Sequence, residues 1–218
     1  MRGQMKMTGR AVPLVLAGVA ALAVGLAASL LWHRPPAPPE LSQHTTWLDP
    51  PKALAPFELV DHRESPFGLD ELRGHWSFLF FGYTHCPDVC PTTLGQLNAV
   101  AERLGGDQNG SPRFVFVSVD PDRDTPQRIA DFVGYFNPAF VGVTGDPKAL
   151  EALTRQLGVL SLKVQRDEQG GGYLVDHTAA IFLIDPRGRL QALFSPPLDT
   201  EAMIADFRAL ARYLEAAS

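Results

Sequence analysis

The stretch that decides the fold is residues 76–91, WSFLFFGYTHCPDVCP. Its apolar start, residues 76–81, predicts a buried β-strand, and residues 92–104 beyond it predict a helix. Cys86 and Cys90, the only cysteines among 218 residues, therefore lie at a strand-to-helix turn, where α/β folds commonly place their chemistry. Two thiols kept this close indicate a redox pair or two ligands of a soft metal, rather than two structural cysteines.

Strands and helices alternate after this stretch. Residues 113–119 are a second apolar, β-branched run, which predicts a strand covered on both faces. The further expected elements are helices at 124–136 and 146–157, a β-hairpin at 161–165 and 173–175, strands at 180–184 and 190–194, and a closing helix at 200–216. This order predicts a mixed-sheet α/β domain, and thiols at the first strand–helix junction favour its thioredoxin-like version.

The N-terminus predicts a membrane anchor. Residues 1–10 carry three basic side chains and no acid, and residues 11–32 carry no charge. A 22-residue helix is about 33 Å long, enough to cross a hydrocarbon core of roughly 30 Å. The basic flank favours a cytoplasmic N-terminus and an exported remainder. The alternative is a signal peptide cleaved after Ala21-Leu22-Ala23, which the nine further apolar residues disfavour.

The exported part is expected to consist of a proline-rich linker, residues 33–50, and one domain, residues 51–218. Residues 1–34 hold four of the 19 basic side chains and none of the 24 acids, so the remainder is strongly acidic. This balance disfavours nucleic acid as a partner. Because exported compartments are oxidising, Cys86 and Cys90 are expected to form a disulfide bond unless they are reduced or bound to metal.

His177, which comes just before the predicted strand 180–184, is the candidate third ligand. Residues that enter a central strand of a thioredoxin-type sheet lie beside the strand–helix junction that carries the thiols. Two thiolates and one imidazole suit Cu(I), and also Cu(II) when a further ligand is added. Zinc would normally require a fourth ligand. His85, although adjacent to Cys86, is not expected to be a ligand.

A group of acids follows the second strand. Asp120 lies at the carboxyl edge of the predicted sheet, where it could orient a ligand or bind a partner. Asp122 and Asp124 are expected only to cap the following helix and to pair with Arg123.

At three places the chain resembles the Sco/SenC family of copper-binding assembly proteins of cytochrome c oxidase. The resemblance rests on YTHCPDVCP at 83–91, DPDRDTP at 120–126, and DHT at 176–178 before the turn DPRG at 185–188. It covers roughly residues 57–213. It implies a thioredoxin-like fold with an inserted β-hairpin, anchored to a membrane. The short, directly basic start favours the bacterial inner membrane, with the C-terminal domain in the periplasm, over a mitochondrial setting.

The resemblance also implies a site and partners. Copper would be bound by Cys86, Cys90 and His177, with Asp120 near the site. Thr178 stands where members of the family often have Ser. The implied partners are the copper-binding subunit of cytochrome c oxidase and an upstream copper donor or reductant, and nothing in the sequence demands more than a monomer.

Two functions remain open on this sequence. A copper metallochaperone, which is not an enzyme, is the leading hypothesis, and a thiol–disulfide oxidoreductase that reduces the cysteines of a copper protein is the alternative. The spacing of the cysteines disfavours the second, because dedicated oxidoreductases of this fold have two residues between the thiols and here there are three. A peroxidase is a weaker hypothesis, and a methionine-rich carrier is excluded because Met203 is the only methionine after the apolar segment.

Overall fold

The structure is a computed structural model that describes residues 11–32, 37–105, 111–165 and 173–216. His33, the first prolines of the linker and the 166–172 loop of the predicted hairpin lie outside the described residues. The larger of two compact units is Glu40–Leu210, and a smaller unit is made of the two terminal segments.

The elements alternate much as the sequence predicts. The helices are α1 Ala11–Trp32, α2 Leu69–Leu72, α3 Val89–Arg103, α4 Pro126–Phe136, α5 Pro147–Leu157 and α6 Thr200–Ala216. The strands are β1 Thr45–Ala53, β2 Glu58–Asp61, β3 Pro66–Gly68, β4 Ser77–Gly82, β5 Arg113–Ser118, β6 Val141–Thr144, β7 Ser161–Gln165, β8 Tyr173–His177, β9 Ile181–Ile184 and β10 Arg189–Phe194.

Eight strands form one mixed sheet in the order β1-β10-β9-β4-β5-β6-β2-β3. The pairs β4–β5 and β5–β6 are parallel, and the other neighbours are antiparallel. Every residue of β4 is buried, as expected for a central strand covered on both faces, and Phe78, Phe80 and Phe81 are among the largest fully buried side chains. The predicted α/β class and the predicted first strand are confirmed.

The inserted hairpin is also confirmed. β7 and β8 pair with each other from Ser161↔His177 to Gln165↔Tyr173, and they form a two-stranded sheet separate from the large one. β8 extends two residues further than the predicted strand, so His177 is the last residue of a strand rather than part of a loop.

The predicted boundary between linker and domain, at residues 50 and 51, falls inside β1. Trp47 pairs with Ala192 of β10, and the backbone carbonyl of Leu48 accepts a hydrogen bond from Gln191. β1 is an edge strand with an irregularity between Trp47 and Lys52, and such a place tolerates the prolines at 50 and 51.

The start of α3 differs from the prediction as well. Because Pro91 disfavours helical geometry at the residue before it, the sequence favours a loop at Cys90 that ends where the helix begins. In the structure the helix begins at Val89 and already contains Cys90. Pro91 lies within the first turn, where its missing N–H leaves no intrahelical hydrogen bond unmade.

The predicted membrane anchor at residues 11–32 is not supported by the structure. Residues Ala11–Trp32 form a helix. Over the part of the chain that is described, no helix is both long enough and apolar enough to cross a membrane.

Candidate metal centre

The two thiols are presented by the connection between β4 and α3. Cys86 is half-buried, and its backbone N–H donates to the carbonyl of Tyr83. Cys90 is fully buried in the first turn of α3, and its backbone N–H lies 3.4 Å from Cys86 Sγ. Gly82 makes room for this arrangement, because a Cβ atom there would lie 2.8 Å from Cys90 Sγ and 2.8 Å from a ring carbon of Phe116.

His177 reaches the thiols from the end of β8. Its Nε2 atom lies 3.4 Å from Cys90 Sγ. Its Nδ1 atom lies 3.2 Å from the carbonyl oxygen of Thr178, which can only accept a hydrogen bond. A proton on Nδ1 would make this contact a hydrogen bond and leave the Nε2 lone pair free for a metal ion. The imidazole is held edge-on by the rings of Phe80 and Tyr83, each with its centroid 6.0 Å away.

The ligand atoms of Cys86, Cys90 and His177 all lie within 4.8 Å of one another, a separation that one metal ion could span. The structure thus brings together the three residues that the sequence suggested. His85 lies outside this group, and its Nδ1 atom is 3.5 Å from a carboxylate oxygen of Asp124.

The two thiols differ in acidity. A hydrogen bond from the Cys90 side chain, helped by backbone N–H groups and by His177, lowers the pKa of Cys86 from 9.0 to about 5. The same hydrogen bond and burial raise the pKa of Cys90. At neutral pH the metal-free pair is therefore one thiolate that accepts a hydrogen bond from one thiol, and binding of a metal by both sulfurs would release the second proton.

Soft ligands dominate this donor set. Two sulfurs and one imidazole nitrogen fit copper, and the set lacks the fourth ligand that a closed zinc site has. Cys86, the more exposed of the two thiols, is the side from which an ion or a partner would approach.

Asp120 does not belong to the ligand group. It is fully buried, and its carboxylate accepts hydrogen bonds from Arg123 Nε at 2.5 Å and from the Tyr173 hydroxyl at 2.7 Å. Its contacts thus connect the end of β5 to β8, the strand that carries His177.

The expectation for the two neighbouring acids was wrong. The α4 cap is Thr125, whose side chain accepts from the Arg128 N–H. Asp122 pairs with Lys163 of β7.

Asp124 is nearly fully buried and holds the loop of residues 83–88, which joins β4 to α3, carries Cys86 and is called the cysteine loop below. Its carboxylate accepts hydrogen bonds from the backbone N–H and hydroxyl of Thr84, at 2.8 and 2.6 Å, and from the hydroxyl of Ser118 at 2.6 Å. Thr84 is 40 positions away along the chain, so no local pattern could have predicted this role.

Sequence reasoning also missed two aromatic residues and their cation. The Arg123 guanidinium lies 3.7 Å from the centre of the Tyr173 ring and 5.7 Å from that of Tyr83. In the sequence, Tyr83 stands out only as the first residue of the stretch 83–91, and Tyr173 only as the start of a predicted strand. Their spacing carries no signal, because β8 meets the cysteine loop only in the folded domain.

Comparison with known proteins agrees with this geometry. The model of the SCO1/SenC family matches residues 47–212. A SCO2-like protein of Rickettsia prowazekii is 32% identical over 205 residues, which are 94% of this chain and 99% of that protein. The copper-bound structure of Bradyrhizobium japonicum ScoI is 37% identical, with a TM-score of 0.64 over 74% of this chain and 99% of that one.

A more distant structure shows the same fold. BsSco, described as a member of the Sco family of cytochrome c oxidase assembly proteins and as having a disulfide switch, is 20% identical. Its TM-score is 0.57 over 74% of this chain and 94% of that one.

Proposed function

Because this chain belongs to the SCO1/SenC family, we propose that it carries one copper ion on Cys86, Cys90 and His177. We further propose that it delivers the ion to the copper-binding subunit of cytochrome c oxidase. The observation that carries the proposal is the group of two sulfurs and one imidazole nitrogen within 4.8 Å, found in a chain whose 37% identical relative holds copper.

The state of the ligands supports loading. One thiolate is already present at neutral pH, because the pKa of Cys86 is lowered to about 5. Nδ1 of His177 has the carbonyl of Thr178 as its partner, so Nε2, 3.4 Å from Cys90 Sγ, is the nitrogen that would bind the ion. Only the second thiol has to lose a proton, which it would do as the metal binds.

The same site supports release. Three ligands leave copper open to an incoming ligand, and the half-buried Cys86 gives a partner access to it. Copper could then pass by ligand exchange, in which each bond to this chain is replaced by a bond to the acceptor. No turnover chemistry is needed for such a role.

A second candidate function is reduction of the acceptor's cysteines before copper arrives. It is favoured by the acidic Cys86 thiol, which would attack a disulfide as a thiolate at neutral pH. In that reaction the Cys86 thiolate would attack the acceptor's disulfide and form a mixed disulfide with one of its sulfurs. Cys90 would then attack Cys86 Sγ, so that the acceptor leaves as a dithiol and this chain keeps a Cys86–Cys90 disulfide. An upstream donor of copper or of electrons is needed in either case.

We propose that the domain acts outside the cytoplasm on a bacterial inner membrane. The support is the sequence alone, a basic start followed by 22 uncharged residues. A fusion that places a reporter active only in the periplasm at the C-terminus tests this. Activity would support the topology, and an active cytoplasmic reporter in its place would contradict it.

Copper titration of the reduced full-length chain tests the function. Saturation at one Cu(I) against a competing chelator, and an intense sulfur-to-copper absorption at one Cu(II), are expected. Cys86→Ser and Cys90→Ser should each abolish tight binding without unfolding the domain. If wild type binds no stoichiometric copper but exchanges its disulfide rapidly with a dithiol, the reductase is the primary function.

A further inference from the structure

The hairpin that supplies His177 is not part of the large sheet. β7 and β8 pair only with each other among the described strands, so no backbone ladder fixes the position of His177 relative to the cysteine loop. A two-stranded ribbon on its own is marginally stable in water. Side chains must therefore hold β8 against the rest of the domain.

Tyr173, at the far end of β8, makes the most extensive of these contacts. Its hydroxyl donates to Asp120 Oδ1 at 2.7 Å, and its backbone carbonyl accepts from Arg123 Nη1 at 3.0 Å. Its ring stacks under the guanidinium of Arg123 at 3.7 Å. Tyr173 is thus bound through its hydroxyl, its backbone carbonyl and its ring to the segment that follows β5.

The anchor on the other side is buried. Asp120 is fully buried and is satisfied by Arg123 Nε and the Tyr173 hydroxyl together. A buried carboxylate that loses a hydrogen-bond donor incurs a large desolvation cost, so this arrangement resists opening. The ion pair of Lys163 with Asp122 also ties the hairpin, but both side chains are about half exposed, and exposed pairs contribute little.

The contacts of Tyr173 extend along β8 to the imidazole. Tyr173, Val175 and His177 alternate along the strand and share one face. Val175 is buried, and the Tyr83 ring lies 5.7 Å from the Arg123 guanidinium that also covers Tyr173. The Tyr83 ring in turn contacts His177 edge-on. Fixing the two ends of this face fixes the direction of Nε2.

We propose that Tyr173 is a positioning residue for the metal centre. Its contacts with Asp120 and Arg123 hold the hairpin against the rest of the domain, and this places Nε2 of His177 beside Cys90. This rests on the proposed copper site and adds to it. Cys86 lies in the loop between β4 and α3, and Cys90 lies in the first turn of α3, so neither thiol is carried by the hairpin. Loss of the Tyr173 contacts should therefore affect the imidazole ligand selectively and leave the dithiolate in place.

The test compares Tyr173→Phe with Tyr135→Phe in the full chain. Tyr135→Phe is the same chemical change at a residue of α4 that is 84% exposed, so it controls for the loss of a hydroxyl alone. In the metal-free protein, the amides of 161–165 and 173–177 should exchange with deuterium faster in Tyr173→Phe than in wild type or in Tyr135→Phe. The amides of β4 and β5 should be unchanged in all three.

With copper, the effect should fall on the imidazole. Changes to groups that orient a metal ligand typically cost about 10- to 100-fold in affinity. Tyr173→Phe should thus bind Cu(II) about tenfold more weakly, with reduced nitrogen coupling in its paramagnetic resonance spectrum. Its Cu(I) affinity should change much less, because the two thiolates dominate that state.

The outcomes separate this inference from the copper proposal. If wild type binds no copper but Tyr173→Phe still loosens the hairpin amides selectively, Tyr173 holds the hairpin and His177 in place, but the copper site fails. If wild type binds copper and Tyr173→Phe matches Tyr135→Phe in amide exchange and in nitrogen coupling, the positioning role is overturned. Should Tyr173→Phe not fold, Arg123→Lys tests the same contacts, because it keeps the charge but loses the two-point hydrogen bonding.

Discussion

Nε2 of His177 lies 3.4 Å from Sγ of Cys90, although the two residues are 87 positions apart in the chain. The contact joins a hairpin to the first turn of a helix, two elements that are not neighbours in sequence. It completes a set of two sulfur ligands and one imidazole ligand. Neither the cysteine segment nor the hairpin could supply this set alone.

Replacing His177 by alanine should weaken the binding of Cu(II) more than the binding of Cu(I). The two thiolates can hold Cu(I) alone, whereas Cu(II) prefers the added nitrogen. Since changes one step removed from a ligand cost about 10- to 100-fold, loss of the ligand itself should weaken Cu(II) by at least about 100-fold. Competition titrations of both oxidation states measure this. His85→Ala is the matched control, because His85 lies outside the ligand group, and an equal effect of the two variants would remove His177 from the site.

The rate at which iodoacetamide alkylates Cys86 should reach half its maximum near pH 5. The lowered pKa of Cys86 makes the thiolate dominant above that pH, so the rate rises through pH 5 and is nearly flat from neutral pH upward. An ordinary thiol, with a pKa of about 8.5, would continue to gain reactivity there. Mass spectrometry of the peptides separates Cys86 from Cys90, whose raised pKa and burial should keep it unreactive.

The hydrogen bond from Cys90 is the largest cause of the lowered pKa of Cys86, and the contact with His177 is a smaller one. Cys90→Ala should therefore shift the alkylation profile of Cys86 to higher pH by more than His177→Ala does. The reverse order would show that the imidazole, and not the thiol, stabilises the thiolate.

Gly82→Ala should disturb the thiol site and the fold together. The added Cβ would meet Cys90 Sγ and the Phe116 ring at 2.8 Å each, and overpacking of this kind costs about 1–3 kcal/mol. Urea unfolding measures the stability, and a Cu(I) titration measures the site. Gly95→Ala is the control: it lies in the middle of α3 with open space around it, and should stabilise the protein by up to about 1 kcal/mol. Equal stabilities of the two variants would contradict the close packing at Gly82.

Asp124→Asn should destabilise the domain and loosen the cysteine loop. The carboxylate accepts three hydrogen bonds while nearly fully buried, and losing a charged acceptor of this kind costs about 1–3 kcal/mol. Urea unfolding measures the stability, and the alkylation rate of Cys90, which should increase, measures the loosening of the loop. Asp122→Asn, at an exposed pair, should cost at most about 1 kcal/mol and leave the alkylation rate unchanged. An Asp124→Asn protein as stable as Asp122→Asn would mean that the loop does not depend on this carboxylate.

Much of the fold could be predicted from local pattern. The buried run that became β4, the paired strands β9 and β10 and the capped starts of α4 and α5 all follow from signals within a few residues. Two boundaries were misplaced, at β1 and at the start of α3. At α3, Pro91 suggested a later start, which the first helical turn did not require. At β1, an edge strand accommodated two prolines.

The sequence by itself determined the chemistry of this protein: two thiols four positions apart at a strand–helix junction, and an imidazole before a core strand. Only the tertiary structure decided how these groups are held. Asp124 supports Thr84 across 40 positions, and Tyr173 meets Asp120 across 53. Such contacts depend on which strands become neighbours and how the hairpin lies against them. Local sequence does not specify these neighbours, because burial of the whole core determines which elements pack together.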